Sequence, residues 1–281
     1  MWPADCDFAV VVVLFEYEYD SAHIDLSCTA GALAMTPSDL CLNGTIIRFD
    51  ASVLTTVDPR IFQVDWLRRN KLWLGSTSGR SQAHFFRVAD HDMVLRHFHR
   101  GGLVGRVNRD LYLRVPAAKS RALREFDLLS EMHAEGLPVP LPVAAQFIPF
   151  GPFYRADIIT QRIPDARPLQ EVLFDRGLST NLWRQIGAHV RQLHDHCVFH
   201  SDLNCRNIML DTRDRIWFID FDKCEKRKPG RWARANLDRL HRSLVKTAAQ
   251  SPNVHWCRQD WENLLAGYAD DTAIHIRDEQ G

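Results

Sequence analysis

The residues best suited to chemistry lie in one part of the chain. Asp202 and Asn207 belong to the stretch His200-Ser-Asp-Leu-Asn-Cys-Arg-Asn207, and Asp220 follows the apolar run Ile216-Trp-Phe-Ile219. A phosphoryl-transfer site needs a carboxylate to orient the attacking hydroxyl, and carboxylate and amide oxygens to hold Mg²⁺ against a triphosphate. We expect Asp202 to be the base, and Asn207 and Asp220 to be the Mg²⁺ ligands.

Two short apolar runs predict how these side chains come together. Ile208-Met-Leu210 and Ile216-Trp-Phe-Ile219 flank the turn signal Asp211-Thr-Arg-Asp214, a pattern typical of a β-hairpin. The expected metal ligands then lie at the two ends of one hairpin. A single His-x-Asp pair is common in loops, and an aspartate before a turn more often caps the backbone than binds metal. It is the combination at this spacing that indicates a phosphotransferase.

Composition narrows the class of protein. The chain has 281 residues and a formal net charge of +0, so no global field attracts it to nucleic acid, and we expect no nucleic-acid partner. Its seven cysteines are scattered without a Cys-x-x-Cys pair, which favours a reducing, cytosolic compartment. The apolar run Phe8–Phe15 is flanked by acidic residues, so it is interpreted as neither a signal peptide nor a membrane span.

The segment 1–34 has an uncertain status. Phe8–Leu14 is typical of a buried strand, yet nothing in the segment connects to a later motif. Met35 is a more conventional start for the part that carries the motifs. Two interpretations therefore stay open, an accessory N-terminal extension and an over-extended gene model.

A glycine-containing loop is predicted after Trp73. Gly75 and Gly79 lie in Leu74-Gly-Ser-Thr-Ser-Gly-Arg80, ahead of a strand at Ala83–Val88. Small residues let backbone N–H groups approach nucleotide phosphates closely. Taken alone, the loop is better explained as a plain hairpin turn, and only the acidic residues downstream favour nucleotide binding.

A cation and a carboxylate are expected to pair near this loop. Arg96 lies in a predicted strand, where a kinase needs a positive group for the α- and β-phosphates. Glu125 lies on the apolar face of a helix predicted from Ser120 to Glu135, and a carboxylate that is buried without a partner is costly. We therefore expect an Arg96–Glu125 pair. The alternative is that Glu125 is only an acid favoured by the helix dipole.

Further groups are candidates for ligand contacts. Arg100, Arg106 and Arg109 accompany three glycines, and they are interpreted either as contacts to an anionic acceptor or as solvated surface. Gln161 and Ile163 end a predicted strand that leaves the first lobe. Their backbone groups are expected to form the hinge that meets adenine.

Two helices are predicted around the catalytic stretch. One begins at Ser179 or Thr180 and leads into it, and the other covers Asn236–Lys246. The basic residues of the second helix, Arg239 among them, are interpreted as a solvated face in preference to a membrane contact. The elements together predict an α+β fold with an extension at 1–34, a lobe for the nucleotide phosphates at 35–163, and a lobe for catalysis and acceptor binding at 164–281.

These motifs resemble the protein-kinase-like superfamily, with His200-x-Asp202 and Asn207 as the catalytic loop and Asp220-Phe-Asp222 in place of Asp-Phe-Gly. More closely, the chain resembles the bacterial 3-deoxy-D-manno-octulosonic acid (Kdo) kinases, a lipopolysaccharide core kinase family. The likeness covers about Thr45 to Trp261. It is carried, besides the catalytic loop, by Val94–Gly105, Arg124–Leu129, Gly136–Pro140, Ile219–Cys224 and Asn236–Ser243.

The resemblance implies a bilobal fold, with an antiparallel sheet and one main helix in the N-lobe and a mostly helical C-lobe. It implies ATP as the donor, Mg²⁺ as the cofactor, and transfer to the 4-hydroxyl of Kdo on a lipid A precursor. It also implies a peripheral protein on the cytoplasmic side of the inner membrane. Arg206, four residues after Asp202 where tyrosine kinases also place an arginine, could offset charge on the transferred group.

Two departures from protein kinases argue against a protein acceptor. Arg96 stands where the strand lysine is usual, and Asn204 stands where serine/threonine kinases carry a lysine beside the base. The alternatives that stay open are a heptose kinase of the same pathway and a pseudokinase that binds nucleotide or glycolipid without turnover. The presence of Asp202, Asn207 and Asp220 counts against the pseudokinase.

Overall fold

The computed structural model describes residues 35–77, 83–88, 90–99 and 110–270. Five of the predicted features lie outside these residues. They are the segment 1–34 with its predicted strand, Gly79 of the glycine loop, and the three arginines Arg100, Arg106 and Arg109.

An antiparallel sheet makes up most of the first part of the described chain. Its order is β1-β2-β7-β8-β5-β4-β3, and the short β6 pairs with the start of β8. The strands are β1 (Pro37–Leu42), β2 (Thr45–Asp50), β3 (Trp73–Ser76), β4 (Ala83–Val88), β5 (His91–His97), β6 (Tyr112–Leu113), β7 (Pro142–Phe150) and β8 (Phe153–Gln161). The register between β5 and β8 pairs Arg96 with Ile158, which places Arg96 in the interior of the sheet.

The main helix of this part, α2 (Arg121–Ala134), packs on one face of the sheet. Phe126 and Leu129 of α2 share a core cluster with Phe147 and Ile158 of the sheet. Beyond its end, Gly136 adopts φ +72°, a left-handed conformation that glycine takes at little cost. The predicted helix, Ser120 to Glu135, is thus close to the observed one.

The opposite face of the sheet is covered by two short helical pieces. The sequence predicts one helix over Pro59–Asn70, and this is wrong. A 3₁₀ helix at Pro59–Phe62 and α1 (Val64–Arg69) are separated by Gln63, whose backbone is extended at φ −105° and ψ 107°. The break lets Ile61, Phe62 and Leu67 all reach the second core cluster beneath the sheet.

The second part of the described chain is mostly helical. Its helices are α3 (Leu169–Asp175), α4 (Thr180–Asp195), α5 (Trp232–Ala248) and α6 (Arg258–Ala269), and its short strands are β9 (Arg167–Pro168), β10 (Val198–Phe199), β11 (Ile208–Leu210), β12 (Ile216–Phe218) and β13 (Glu225–Lys226). The start of α4 is confirmed, because the Ser179 Oγ accepts the Leu182 N–H at 3.2 Å. No helix of the described residues is long and apolar enough to cross a membrane.

Helices α4 and α6 cross at two glycines. A Cβ atom on Gly187 would lie 1.9 Å from the Leu264 carbonyl oxygen, and one on Gly267 would lie 2.0 Å from the Arg184 carbonyl oxygen. Any larger residue would force the two backbones apart. The two helices are therefore in direct backbone contact at this crossing.

The predicted hairpin is confirmed. Strands β11 and β12 pair antiparallel, with Ile208 opposite Phe218. The carboxylate of Asp211 accepts the backbone N–H groups of Arg213 at 2.9 Å and Arg215 at 3.0 Å, which closes the turn. The fold is therefore an α+β arrangement of a sheet with one main helix and a helical part, consistent with a bilobal kinase-like fold.

Candidate active site

The catalytic stretch, residues 200–224, forms a loop whose two ends are joined by paired strands. Strand β10 pairs with β13, with Phe199 opposite Glu225, so residues 200–224 leave and return at one place. The hairpin β11–β12 lies within this loop. The Ile219 N–H donates to the Asn207 carbonyl oxygen at 3.0 Å, which brings the two hairpin ends together as the sequence predicts.

Arg96 is the centre of a buried charge cluster. Its guanidinium donates to the carboxylate of Glu125 on α2 and to that of Asp220. The expected pair with Glu125 is thus present, and Asp220 is a second partner that the sequence did not indicate. Burial opposes the charge of Arg96, but the two carboxylates outweigh it and raise the pKa of its guanidinium. Strand β5, helix α2 and the end of the hairpin therefore meet at one cation.

Glu125 also contacts the backbone of the catalytic stretch. Its Oε1 accepts the Phe221 N–H at 3.2 Å. Burial raises the pKa of Glu125 above its ordinary value, although Arg96 opposes this. The preceding residue, Asp220, adopts φ +66°, a left-handed conformation that is unusual for a non-glycine residue.

Asp222 takes the place of the glycine that protein kinases have in this motif. The Arg121 Nε donates to its Oδ1 at 2.7 Å. Arg121 and Glu125 are four residues apart on α2, so they lie on the same face of the helix. The helix therefore contacts this motif twice, through Glu125 at the Phe221 N–H and through Arg121 at the Asp222 carboxylate.

His200 is a structural histidine. It is 1 % exposed and its ring lies 4.8 Å from that of Phe221. Burial lowers its pKa, so the imidazole is neutral. Its Nδ1 accepts the Asp202 N–H at 3.2 Å, and its Nε2 donates to the Ile219 carbonyl oxygen at 3.1 Å. The ring thus links the two halves of the catalytic stretch.

Asp202 is half-exposed at the open side of this loop. Its Oδ1 accepts from Nε of Arg239 at 2.8 Å. Arg239 is half-exposed, as the predicted solvated face requires, but its ion pair with Asp202 is a contact that the sequence did not indicate. The side chains of Asn204 and Asn207 both donate to the Asp202 carbonyl oxygen, at 2.9 and 3.0 Å, so the backbone that carries the carboxylate is fixed.

Arg206 turns towards α3. Its Nε donates to the side-chain oxygen of Gln170, and its backbone N–H donates to the Asn204 Oδ1 at 2.8 Å. The guanidinium of Arg206, four residues after Asp202, is therefore anchored on Gln170 through one nitrogen. A role in offsetting charge on a transferred group stays a prediction.

Asn236 is a positioning residue that the sequence did not indicate. Its side chain accepts the His200 N–H at 3.2 Å and donates to the His200 carbonyl oxygen at 2.9 Å. It is 2 % exposed. The signal that could have found it is an asparagine next to the apolar stripe of α5, since a buried amide requires polar partners. The same helix contacts the loop again where the Ser243 Oγ accepts the Cys205 N–H at 3.0 Å.

The expected nucleotide-side residues lie around the sheet. Gly75 lies at a bulge in β3, and a Cβ atom there would meet no atom within 4 Å, so packing alone does not require glycine. At the expected hinge, the Gln161 N–H already donates to the Leu141 carbonyl oxygen at 2.8 Å. Among the described residues, the N–H of Ile163 has no backbone acceptor, which leaves it as the available donor of the hinge.

Comparison with known proteins agrees with this geometry. The model of the Lipopolysaccharide kinase (Kdo/WaaP) family matches residues 64–268. The chain is 37% identical over 230 residues to the 3-deoxy-D-manno-octulosonic acid kinase of Photobacterium profundum, covering 82% of this chain and 97% of the relative. It is 40% identical over 217 residues to the kinase of the same name from Actinobacillus succinogenes, covering 74% and 90%.

A third relative, from Pasteurella multocida and again named 3-deoxy-D-manno-octulosonic acid kinase, is 39% identical over 211 residues, covering 72% of this chain and 87% of the relative. The family match includes every element that contributes to the site, from β3 to α5. The chain is therefore a kinase, and it belongs to the lipopolysaccharide kinase (Kdo/WaaP) family.

Proposed function

We propose that the protein transfers the γ-phosphoryl group of ATP to the 4-hydroxyl of a Kdo residue on a lipid A precursor, in the synthesis of the lipopolysaccharide inner core. The observation that carries the proposal is the division of the site into two parts. Arg96 gathers Glu125 and Asp220 on the nucleotide side, while Asp202 lies half-exposed on the open side of the same loop. The choice of Kdo as the acceptor rests on the relatives named 3-deoxy-D-manno-octulosonic acid kinase.

The reaction follows from these positions. The 4-hydroxyl of the acceptor donates its proton to the carboxylate of Asp202 as its oxygen attacks the γ-phosphorus. The bond from that phosphorus to the oxygen bridging the β- and γ-phosphates breaks, and ADP leaves with that electron pair. Arg96 is proposed to contact the α- and β-phosphates, with Glu125 fixing its direction. Gly75 and the N–H of Ile163 are the proposed contacts to phosphate and adenine.

The residues present fit a magnesium ion. The side-chain oxygen of Asn207 and the carboxylate of Asp220 lie at the adjoining ends of one hairpin. The Ile219 N–H donates a hydrogen bond to the Asn207 carbonyl oxygen and so joins these ends. Both are hard oxygen donors of the kind that Mg²⁺ prefers, and the side-chain NH₂ of Asn207 already donates to Asp202, which leaves its oxygen as the ligand atom. When bound, Mg²⁺ would neutralise charge on the phosphates.

The acceptor lipid implies a place of action. Because a lipid A precursor is embedded in a bilayer, we propose that the protein acts as a peripheral protein at the cytoplasmic face of the inner membrane. Arg100, Arg106 and Arg109 are the proposed contacts to the anionic groups of this lipid, on the strength of their sequence alone.

The test is an acceptor assay with purified protein and labelled ATP. The acceptors are Kdo-bearing lipid A precursor, a heptose-extended core and a generic protein substrate, each with and without Mg²⁺. We expect Mg²⁺-dependent label on the Kdo lipid, weakened at high salt as contacts between charges are screened. Label on heptose or on protein but not on the Kdo lipid would overturn the proposal, and nucleotide binding without any product would indicate a pseudokinase.

A further inference from the structure

Helix α5 presents one face to the catalytic loop. Asn236, Arg239 and Ser243 are spaced three and four residues apart, so they lie along one side of the helix. Asn236 and Ser243 bind backbone groups of the loop at His200 and Cys205. Arg239, between them, is instead half-exposed and contacts the side chain of Asp202. The two outer residues position the loop, and the middle one is open to a ligand.

The contact between Arg239 and Asp202 leaves bonding capacity on both sides. Nε and one terminal nitrogen of Arg239 both donate to Oδ1 of Asp202. A guanidinium has five N–H donors, so most of them stay available. Among the described residues none donates to Oδ2 of Asp202, which leaves that oxygen for a hydroxyl proton.

An acidic acceptor sugar would bring a second negative charge next to Asp202. In Kdo the carboxylate is on C2 and the 4-hydroxyl is two ring carbons away. Placing that hydroxyl on Asp202 therefore brings a second carboxylate close to the first, and like charges repel. Asn204 stands where a lysine beside the base would have neutralised this second charge. The neutralising cation must therefore come from another element. Among the described residues Arg239 is the cation paired with Asp202.

We infer that Arg239 is a specificity-determining residue that binds the carboxylate of the acceptor sugar. Its guanidinium, held on Oδ1 of Asp202, bridges the base and the acceptor carboxylate, since arginine donates well to two carboxylates in one plane. This inference rests on the proposed function. It explains how a site built on a carboxylate accepts an acidic sugar, and it makes a neutral sugar at the same position the poorer substrate.

The experiment compares two acceptors. One is Kdo-bearing lipid A precursor, and the other is the same lipid with the Kdo carboxyl group reduced to a primary alcohol. The proteins are wild type, Arg239→Gln, Arg239→Lys and, as a matched control, Arg242→Gln. Arg242 lies on the same helix, is exposed, and makes no ion pair with a described residue. Melting temperature and ATP affinity are measured for each protein to show that the fold and the nucleotide side are intact.

We expect wild type to prefer the carboxylated lipid in kcat/KM. Arg239→Gln should lose about 10- to 100-fold on that lipid, mainly through a higher KM, as expected for a lost charge-assisted hydrogen bond. On the reduced lipid the loss should be at least about threefold smaller than on the carboxylated lipid, because only the contact with Asp202 is removed there. Arg239→Lys should recover part of the loss, and Arg242→Gln should behave as wild type on both lipids.

Four results would overturn the inference. An equal loss on both lipids would mean that Arg239 only orients Asp202, and an unchanged Arg239→Gln would mean that it does neither. If that variant does not fold, the wild-type ratio still decides, because equal use of the two lipids excludes recognition of the carboxylate. A wild-type protein that phosphorylates neither lipid would refute the proposed function itself, and the inference with it.

Discussion

Asp202 and Asp220, the two aspartates of the site, have different cationic partners and therefore different expected roles. Asp202 pairs with Arg239 of α5, whereas Asp220 pairs with Arg96 of β5. We predict that Asp202→Asn lowers kcat by roughly 100-fold or more while ATP binding is nearly unchanged, because the proton acceptor is lost but few ground-state contacts are. Asp220→Asn should instead weaken the binding of Mg²⁺ and ATP.

Steady-state kinetics and calorimetric titration of nucleotide separate these two effects. Asp195→Asn is a suitable control, because Asp195 forms a surface ion pair with Arg191 on α4 at 2.7 Å and has no proposed role in the chemistry. Near-wild-type turnover in both site variants would show that the catalytic assignment is incorrect.

A second prediction at the residue scale concerns His97 at the end of β5. Burial lowers its pKa, but a hydrogen bond and the charge of Asp157, together with Asp110, outweigh this and also the repulsion of Arg155, so that the pKa is raised above 6.5. Gln146 holds the other oxygen of Asp157 at 2.5 Å, and the ring of His99 lies against that of His97.

Because the folded state binds the proton more tightly than the unfolded state, protonated His97 stabilises the fold. This contribution is complete below the unfolded pKa of 6.5 and is lost as the pH rises through the higher folded value. The difference in melting temperature between wild type and His97→Gln should therefore be larger at about pH 5.5 than at about pH 9. His91→Gln, an exposed change on the same strand, is the control. A difference that is independent of pH would contradict the prediction.

At the scale of elements, α2 joins the sheet to the catalytic stretch through two of its side chains. Glu125 accepts from Arg96 and from Phe221, and Arg121 pairs with Asp222. The position of α2 is therefore set by the residues of the site itself. Because Glu125 of α2 binds Arg96, and Arg96 in turn binds Asp220, substitutions on β5 and on α2 should be energetically coupled.

A double-mutant cycle tests this coupling. For Arg96→Met and Glu125→Gln we expect an interaction energy on the order of 1 kcal/mol or more in kcat/KM, because the two groups share one buried network, whereas independent groups add within about 0.5 kcal/mol. Arg48→Met with Asp127→Asn is a matched cycle, since this pair joins β2 to α2 away from the site at 2.8 Å. Additivity for Arg96 and Glu125 would show that their contact does not contribute to catalysis.

Elements with a clear local signal were predicted, and those defined by tertiary contacts were not. The hairpin β11–β12 and the start of α4 have turn and capping residues in the sequence. Strand β7 was missed because its residues 142–147 are buried on both faces, so its sequence shows no alternation of polar and apolar residues. Helix α6 was also missed. It is defined by its close crossing with α4 at Gly187 and Gly267, which no local pattern reveals.

The same distinction holds for the site. Asp202, Asn207 and Asp220 could be proposed from the sequence because the expected chemistry requires their residue types and spacing. Arg239 was not, because sequence alone does not distinguish it from Arg242, three residues further along the same helix. Only the packing of α5 against the loop shows that Arg239, and not Arg242, reaches Asp202.

At the scale of the whole molecule, the described part of the chain shares one core across the proposed lobes. Phe126 of α2, Trp183 of α4, Phe221 of the catalytic stretch and Leu240 of α5 belong to a single cluster of buried residues. The division at residues 163 and 164 stays a prediction about chain organisation. The shared core means that a substitution in the cluster is expected to affect both parts together.

The last prediction concerns the segment 1–34. The family model matches residues 64–268, so the segment lies outside the part of the chain that the model matches. Every residue proposed for the site lies at Gly75 or later. The first described contacts that hold β1 in place come after the segment, where the Thr36 N–H donates to Asp50 at 3.0 Å and Thr36 accepts the Ala51 N–H at 2.8 Å.

We therefore predict that deleting Met1–Ala34 leaves kcat/KM within about twofold of the full chain, because no proposed catalytic or ligand contact is removed. The matched control extends the deletion through Leu42. It removes β1, which pairs with β2 along its whole length and packs Leu40 against the second core cluster, so it should lower the melting temperature clearly. If the shorter deletion were already insoluble or inactive, the segment 1–34 would belong to the folded core.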